Sequence, residues 1–233
     1  MKSISIIIPA YNEENVIEST VKSYFDFFKK KKIDFEILIT PNNCSDKTPE
    51  IAKSLSKKFN EIKTKNIPYK VGKGGAVLDG FKLAKKELLC YVDADNSTKP
   101  EMIWRMLNEM GDYECIMGSR WLKESKILTK QPLSRRIASR GFNLLVRVVL
   151  GLNFTDTQNG GKIFKKEIIE KIINEIDDSS WAFDIGLLYL IKKHNGKIKE
   201  IPIEWQDSGK SSLKMHKAIP QMFLKVIKLR LSK

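Results

Sequence analysis

Apolar runs and helically spaced apolar residues take turns along the first half of the chain. Residues 3–8 (SISIII) form a short run suited to a buried parallel strand, ended by Pro9. Asn12 is placed to cap the helix that follows, and Glu13 and Glu14 suit its first turn. Val16, Ile17, Val21, Tyr24, Phe25 and Phe28 recur at helical spacing until the lysines of 29–32, whose charge suits a helix C-terminus. Residues 35–39 predict a second strand, and Ser45 is placed to cap a helix running to about Phe59. A weaker strand fits 62–69, and Gly72, Gly74 and Gly75 predict a loop before a helix over 76–86. Strands over 88–92 and 114–118 flank a helix that Pro100 opens and that runs to about Met110. Strand and helix alternating in this way predict an α/β fold with an open, mostly parallel sheet flanked by helices on both faces. Such sheets take ligands at the carboxyl ends of their strands.

The pattern changes after residue 130. Residues 132–150 predict a basic amphipathic helix, with a possible kink at Gly141. Arg135, Arg136, Arg140 and Arg147 alternate there with Ile137, Phe142, Leu144, Leu145, Val148 and Val149. Helices fit 166–174 and 183–194. A strand fits 198–205, with Pro202 suggesting a sheet edge. Residues 214–233 have the composition of a second basic amphipathic helix.

Composition narrows the class. The 233 residues hold 42 Lys+Arg against 28 Asp+Glu, a net charge of +14, which points to an anionic partner: nucleic acid, a phosphorylated substrate or a membrane surface. A lysine-rich solvated surface gives the same number. The apolar fraction of 42% and the recurring apolar runs exclude general disorder. Cys44, Cys90 and Cys115 are odd in number and far apart, which excludes a disulfide scaffold and favours a reducing compartment. No run of about 18 apolar residues is present, so no membrane-crossing helix is expected, and the strand-like start argues against a signal peptide.

The clearest chemical signal is Asp93-Ala94-Asp95, directly after a buried strand. Two carboxylates at a strand end suit one hard cation, Mg²⁺ or Mn²⁺, although an isolated DxD is commonly a solvated turn. Pro9-Ala10-Tyr11-Asn12-Glu13 ends the first strand: Tyr11 is suited to stacking on a base and Glu13 to accepting from its ring donors, or the segment is a plain turn. Lys73-Gly74-Gly75 lacks the spacing of a phosphate loop and reads as a turn leading into a helix. His194 and His216 are too separated for a metal site, and Cys44 reads as a small filler. Trp181, beside Phe183 and Asp184, either lines a ligand pocket or packs in the core.

PAYNE at 9–13, SDKTPEIA at 45–52, GKGGAVLDGF at 72–81, YVDAD at 91–95, GSR at 118–120, DTQNGGKIF at 156–164 and AFD at 182–184 occur in order. Together they resemble the family 2 glycosyltransferases with a GT-A fold, over roughly residues 3–214. Within that group the chain is most similar to the polyprenyl (dolichyl) phosphate glycosyltransferases. DTQ and the IPIEW segment at 201–205 favour the glucosyltransferase branch over the mannose synthases. The resemblance implies that Pro9, Tyr11, Glu13, Asn42, Asp93, Ala94 and Asp95 hold the nucleotide sugar, with Asp93 and Asp95 on the metal. It implies that Arg120, Arg135 and Ser139 hold the acceptor phosphate, with Lys210 as the nearby cation, and that Asp156, Gln158 and Asp184 line the sugar and acceptor side. Asp93, Asp95, Arg120 and Asp184 are then the residues carrying the chemistry. The implied reaction is an inverting transfer from a UDP-linked sugar, glucose first, to dolichyl or polyprenyl phosphate, assisted by Mg²⁺ or Mn²⁺ and involving no nucleic acid.

Residues 1–213 would then be the catalytic domain and 214–233 a helix for a membrane surface or for its own domain. The implied location is peripheral, at the cytoplasmic face of a membrane. Three departures from the family pattern stand out. Asn42 occupies a position that usually holds Asp. Gly186 removes the second carboxylate of an FDxEL pattern. Gln206 and Ser212 replace the Arg and Lys of the mannose synthase loop. The alternatives are a GDP-mannose-dependent mannose synthase, a sugar nucleotidyltransferase without its glycine-rich first loop, and a non-enzymatic polyanion- or membrane-binding module on the same fold.

Overall fold

Alternate side chains of a strand point to opposite faces, and the first strand, β1 (Ser3–Ala10), uses both. Ile4, Ile6 and Ile8 enter one apolar cluster and Ile7 enters the other. Each is fully buried, which contributes about 2 kcal/mol per side chain. The computed structural model describes residues 2–129, 132–176, 183–206, 223–224 and 226–231, without the side chains of Ser134 and Arg135. The chain continues through α1 (Ile17–Lys30), β2 (Asp34–Pro41), α2 (Thr48–Lys58), β3 (Ile62–Thr64), α3 (Gly72–Leu83), β4 (Leu88–Tyr91), α4 (Pro100–Asn108) and β5 (Cys115–Ser119). Then come β6 (Lys126–Thr129), α5 (Leu133–Leu150), β7 (Lys162–Lys165), α6 (Lys166–Ile172), α7 (Phe183–Lys193), β8 (Ile198–Pro202) and β9 (Glu204–Gln206).

Seven strands form the central sheet in the order β3-β2-β1-β4-β7-β5-β8, and β6 pairs with β9 in a small second sheet. The sheet is parallel except for β7, which runs antiparallel to both β4 and β5. Ala10 stands opposite Pro41 and Ile7 opposite Tyr91, so β1, β2 and β4 end at one edge. Because β7 runs the other way, its first residue, Lys162, sits at that edge, paired with Tyr91 and Met117.

One apolar cluster joins Ile17, Val21, Tyr24 and Phe28 of α1 to Ala52 and Leu55 of α2 and to Ile103 and Met106 of α4. The other joins Val77 and Phe81 of α3, Phe142 and Val146 of α5, Ile169 of α6 and Leu187 of α7. At Gly80 a methyl group would meet Ile7 Cγ2 at 2.5 Å, so the glycine lets α3 lie close to β1. Val226 is buried in this second cluster and Leu229 packs against it, so this part of the C-terminal segment rests on its own domain.

Several boundaries differ from the sequence expectation. Asn12 does not cap α1, which begins five residues later at Ile17. It takes φ 55° and its Oδ1 accepts the Ser45 amide at 2.8 Å, tying two loops together. Ser45 does not cap α2, and the Thr48 amide is instead met by Asp46 Oδ1 at 3.0 Å. Gly72, Lys73, Gly74 and Gly75 open α3 rather than forming a loop before it, and Gly72 enters the helix at φ 71°, a left-handed conformation that glycine adopts freely. Gly141 lies inside one 18-residue α5. Residues 198–205 split into β8 and β9, which join different sheets, and β8 is the sheet edge that Pro202 suggested. β6 and β7 carry no strand-like pattern in the sequence.

Candidate active site

The edge where β1, β2 and β4 end brings Tyr11, Glu13, Asn42, Asp93 and Asp95 together. Helix α1 supports the turn after β4. Thr20 Oγ1 donates to the Ala94 carbonyl at 2.7 Å, and Tyr24 Oη donates to the Thr98 carbonyl at 2.6 Å. A buried tyrosine hydroxyl needs such a partner, and this one aligns the turn holding both aspartates. Asp95 Oδ1 accepts the Ser97 amide at 3.0 Å.

Tyr11 is half exposed and open to stacking, whereas Pro9 is buried within β1. The Glu13 amide donates to Thr48 Oγ1, and its carbonyl takes the amides of Val16 and Ile17. Asn42 is buried; its Oδ1 accepts the Val71 amide at 3.1 Å and so joins the end of β2 to the start of α3.

Lys73, which the sequence placed in an ordinary turn, reaches Asp93: Nζ to Oδ1 is 2.6 Å. Burial pushes the Asp93 carboxyl upward, but the charge and hydrogen bond of Lys73, with Lys162 and Arg120 behind it, outweigh burial and hold it below the usual range. Burial likewise lowers Lys73, yet Asp93, Asp184 and Asp95 raise it overall, so both partners stay charged. On the other side of Asp93 lies Gly160, where any side chain would strike Oδ2.

Arg120 follows β5 and is held by Asp156. Nε donates to Oδ2 at 2.7 Å and Nη2 to Oδ1 at 2.8 Å, while the Arg120 amide also donates to Oδ2. Its guanidinium lies 5.2 Å from the Trp205 ring centre. Glu200 on β8 holds this loop through the amides of Thr155 and Asp156 and the Thr155 hydroxyl. Asp156 is thus a partner of Arg120, and Gln158 lies half-buried in the same loop.

Asp184 lies in the first turn of α7, buried under Tyr91 Oη, which donates to it, and Lys162 Nζ at 3.0 Å. Burial pushes Asp184 up to about 7, with Lys73 opposing. Burial pushes Lys162 down to about 7, reinforced by Lys73 and opposed by Asp156, Cys115 and Asp93. Against burial, the direct contact between the two favours the ammonium–carboxylate pair.

Ser139 is half-buried on α5. Beside it, Arg136 and Arg140 lie 5.8 and 5.0 Å from the Trp121 ring centre. A groove of about 520 Å³ runs between Trp121, Ile137, Leu144, Arg136, Arg140 and Arg147. Trp181, Lys210 and the Arg135 side chain lie outside the described residues.

The two carboxylates Asp93 and Asp95 fit a divalent cation completed by a ligand's phosphate oxygens, the usual way Mg²⁺ is held. Among the described residues no cluster of three or more His, Cys, Asp or Glu offers a fuller protein cage. Among them, too, no helix is long and apolar enough to cross a membrane.

AglD of Haloferax volcanii is 28% identical over 97% of this chain, which spans 36% of that protein's length. The dolichyl-phosphate beta-glucosyltransferase of Dictyostelium discoideum is 29% identical, with 97% of this chain and 73% of that one covered. Among solved structures, glucosyl-3-phosphoglycerate synthase of Mycobacterium tuberculosis, in complex with Mn²⁺, UDP and glucosyl-3-phosphoglycerate, superposes with a TM-score of 0.71 at 17% identity. It covers 99% of this chain and 79% of its own, and shows the GT-A fold. The profile of glycosyl transferase family 2 matches residues 5–173, and the chain belongs to that family.

Proposed function

We propose that the chain transfers a glycosyl unit from a nucleoside diphosphate sugar to a polyprenyl or dolichyl phosphate at a membrane surface. UDP-glucose is the first candidate donor. The observation that carries this reading is the Asp93/Asp95 pair at the carboxyl edge of the sheet, between the Tyr11–Glu13 loop and Arg120. The dolichyl-phosphate beta-glucosyltransferase relatives support the acceptor class.

Tyr11 stacks on the base, and Glu13 and Asn42 lie beside it. Asp93 and Asp95 would hold Mg²⁺ or Mn²⁺, which when bound offsets charge on the departing diphosphate. Lys73 adds a fixed positive charge beside Asp93. The second pKa of a phosphate monoester is about 6, so the acceptor is largely dianionic at neutral pH and needs no strong general base. That agrees with the burial of Asp184, whose carboxylate is occupied by Lys162 and Tyr91. Bringing two anions together is the harder task. Arg120, whose guanidinium Asp156 orients, would steer the acceptor by its positive charge together with Arg135, Ser139 and Lys210. Attack from the face opposite the leaving group inverts the anomeric centre, giving a β-linked product from an α-linked donor.

The acceptor's tail needs a membrane. The basic, apolar face of α5 suits peripheral docking at the cytoplasmic leaflet, where anionic lipids attract it. The test is one panel: UDP- and GDP-sugars, a polyprenyl phosphate, and Mg²⁺ or Mn²⁺. Lipid-linked glucose from UDP-glucose is the expected product. Lipid-linked mannose from GDP-mannose would replace the donor assignment with the mannose synthase alternative. A protein that binds lipid and never transfers sugar would leave only a binding module.

A further inference from the structure

Among the described residues, Lys162 is the only lysine with no exposed surface. An ammonium has three protons to place. Those of Lys162 meet Tyr91 Oη at 2.9 Å, the Asn159 carbonyl at 2.6 Å and Asp184 Oδ1 at 3.0 Å. The three acceptors belong to three elements: β4, the loop before β7 and the first turn of α7. Removing a charged group from water costs several kcal/mol, and an apolar side chain of similar size often fills such a site at no loss of stability. Stability alone is therefore a weak reason for this charge.

The loop it holds is confined. Gly160 leaves no room for a side chain against Asp93 Oδ2, and Gly161 takes φ +93° with Thr98 at 3.0 Å from the position of a Cβ. Thr98 Oγ1 donates to the Gly160 carbonyl at 3.1 Å. The carboxylate of Asp93 thus rests between Lys73 at Oδ1 and this backbone at Oδ2.

We propose that Lys162 is a positioning residue of the donor site: by gripping the Asn159 carbonyl, Tyr91 and Asp184 together, it fixes the Gly160 backbone and with it the one carboxylate orientation of Asp93 that suits a metal–diphosphate ligand. Lys162 itself never reaches the ligand. The inference rests on the reading of Asp93 as a donor-side carboxylate.

The test is calorimetric binding of UDP to the full chain, with and without Mn²⁺, at a temperature where thermal melting shows each variant folded. Lys162→Met keeps the length of the side chain and removes its charge. It should weaken Mn²⁺-dependent UDP binding by about tenfold or more, the usual scale for residues supporting a metal ligand. Metal-free UDP binding, which depends on the Tyr11–Glu13 loop, should change by less than about twofold, and Lys162→Gln should fall between. A purely structural role would weaken both modes alike or neither, and either result overturns the proposal. Gly160→Ala moves Asp93 without touching Lys162 and should show the same selective loss. If the Lys162 variants do not fold, this variant decides: unchanged Mn²⁺-dependent binding overturns the proposal. A wild-type chain that binds neither UDP nor GDP in the presence of Mn²⁺ refutes the functional reading itself.

Discussion

Arg120 and Asp156 face one another through two parallel hydrogen bonds, Nε to Oδ2 and Nη2 to Oδ1. Asp156 is buried and Arg120 nearly so. Removing one member of such a pair leaves an uncompensated charge, at a cost of about 3 kcal/mol or more. Asp156→Ala is expected to lower stability by that amount in urea unfolding. Arg120→Lys, which keeps charge but loses the fork, is expected to recover only part of the pair's coupling in a double-mutant cycle with Asp156→Asn.

Asp93→Asn and Asp95→Asn are each expected to leave the fold intact and to lower transfer by about 10²-fold or more, the scale for losing one group that stabilises developing charge. Circular dichroism and product formation with Mn²⁺ titrated check both halves. Undiminished transfer by either variant would remove that carboxylate from the chemistry.

Acid stability should depend on Glu36. It is buried at the other end of the sheet, where Ser5 Oγ, the Lys85 amide and Lys63 Nζ donate to its carboxylate. Burial pushes its pKa up, but those three hydrogen bonds and the charge of Lys63 outweigh burial and hold it below the ordinary value of 4.5. A depressed folded-state pKa means that the unfolded chain takes up the proton first. The stabilisation is therefore present above about pH 4.5 and is lost as pH falls through the folded-state value. Glu36→Gln is expected to flatten the stability profile over that acidic window and to lower stability at pH 7 by about 1–3 kcal/mol. Urea melts from pH 3 to 7 decide it.

Peripheral docking has its own signature. Arg136 and Arg140 flank Trp121 on an α5 face where Leu133, Ile137, Leu144 and Val148 are 60–75% exposed. At about 1 kcal/mol per basic residue near an anionic leaflet, Arg136→Ala with Arg140→Ala should weaken binding to phosphatidylserine vesicles roughly thirtyfold. Raising salt from low to physiological should weaken the wild type as well. Flotation reads both, and a wild-type chain that stays unbound at low salt ends the docking idea without touching the chemistry.

The parallel half of the sheet was legible because buried strands and amphipathic helices leave strong, distinct periodicities. The Asp93/Asp95 pair was legible because it follows the buried run Leu88–Tyr91. β7 was not, since Lys-Ile-Phe-Lys is too short to carry a pattern and opens with a lysine that reads as solvated. Lys73 and Lys162 stayed hidden for the same reason: a lysine's burial is set by what folds over it. Asp156 is expected from the family resemblance to line the sugar and acceptor side, but its pairing with Arg120 spans 36 positions and leaves no local trace. Asn12 and Ser45 read as helix caps in the sequence because cap residues also serve as loop ties.

The antiparallel β7 lies between β4 and β5, which do not pair with each other. A nascent chain that has emerged only as far as β5 therefore has two unsatisfied strand edges where the centre of its sheet should close. Long-range pairing of this kind is slow to form and leaves sticky edges while it waits. The loop from Asp156 to Lys162, which holds Arg120 and abuts Asp93, arrives in the same late segment that seals the gap. Closing the centre of the sheet and placing that loop are thus a single event in biogenesis, with β8 added later at the outer edge of β5.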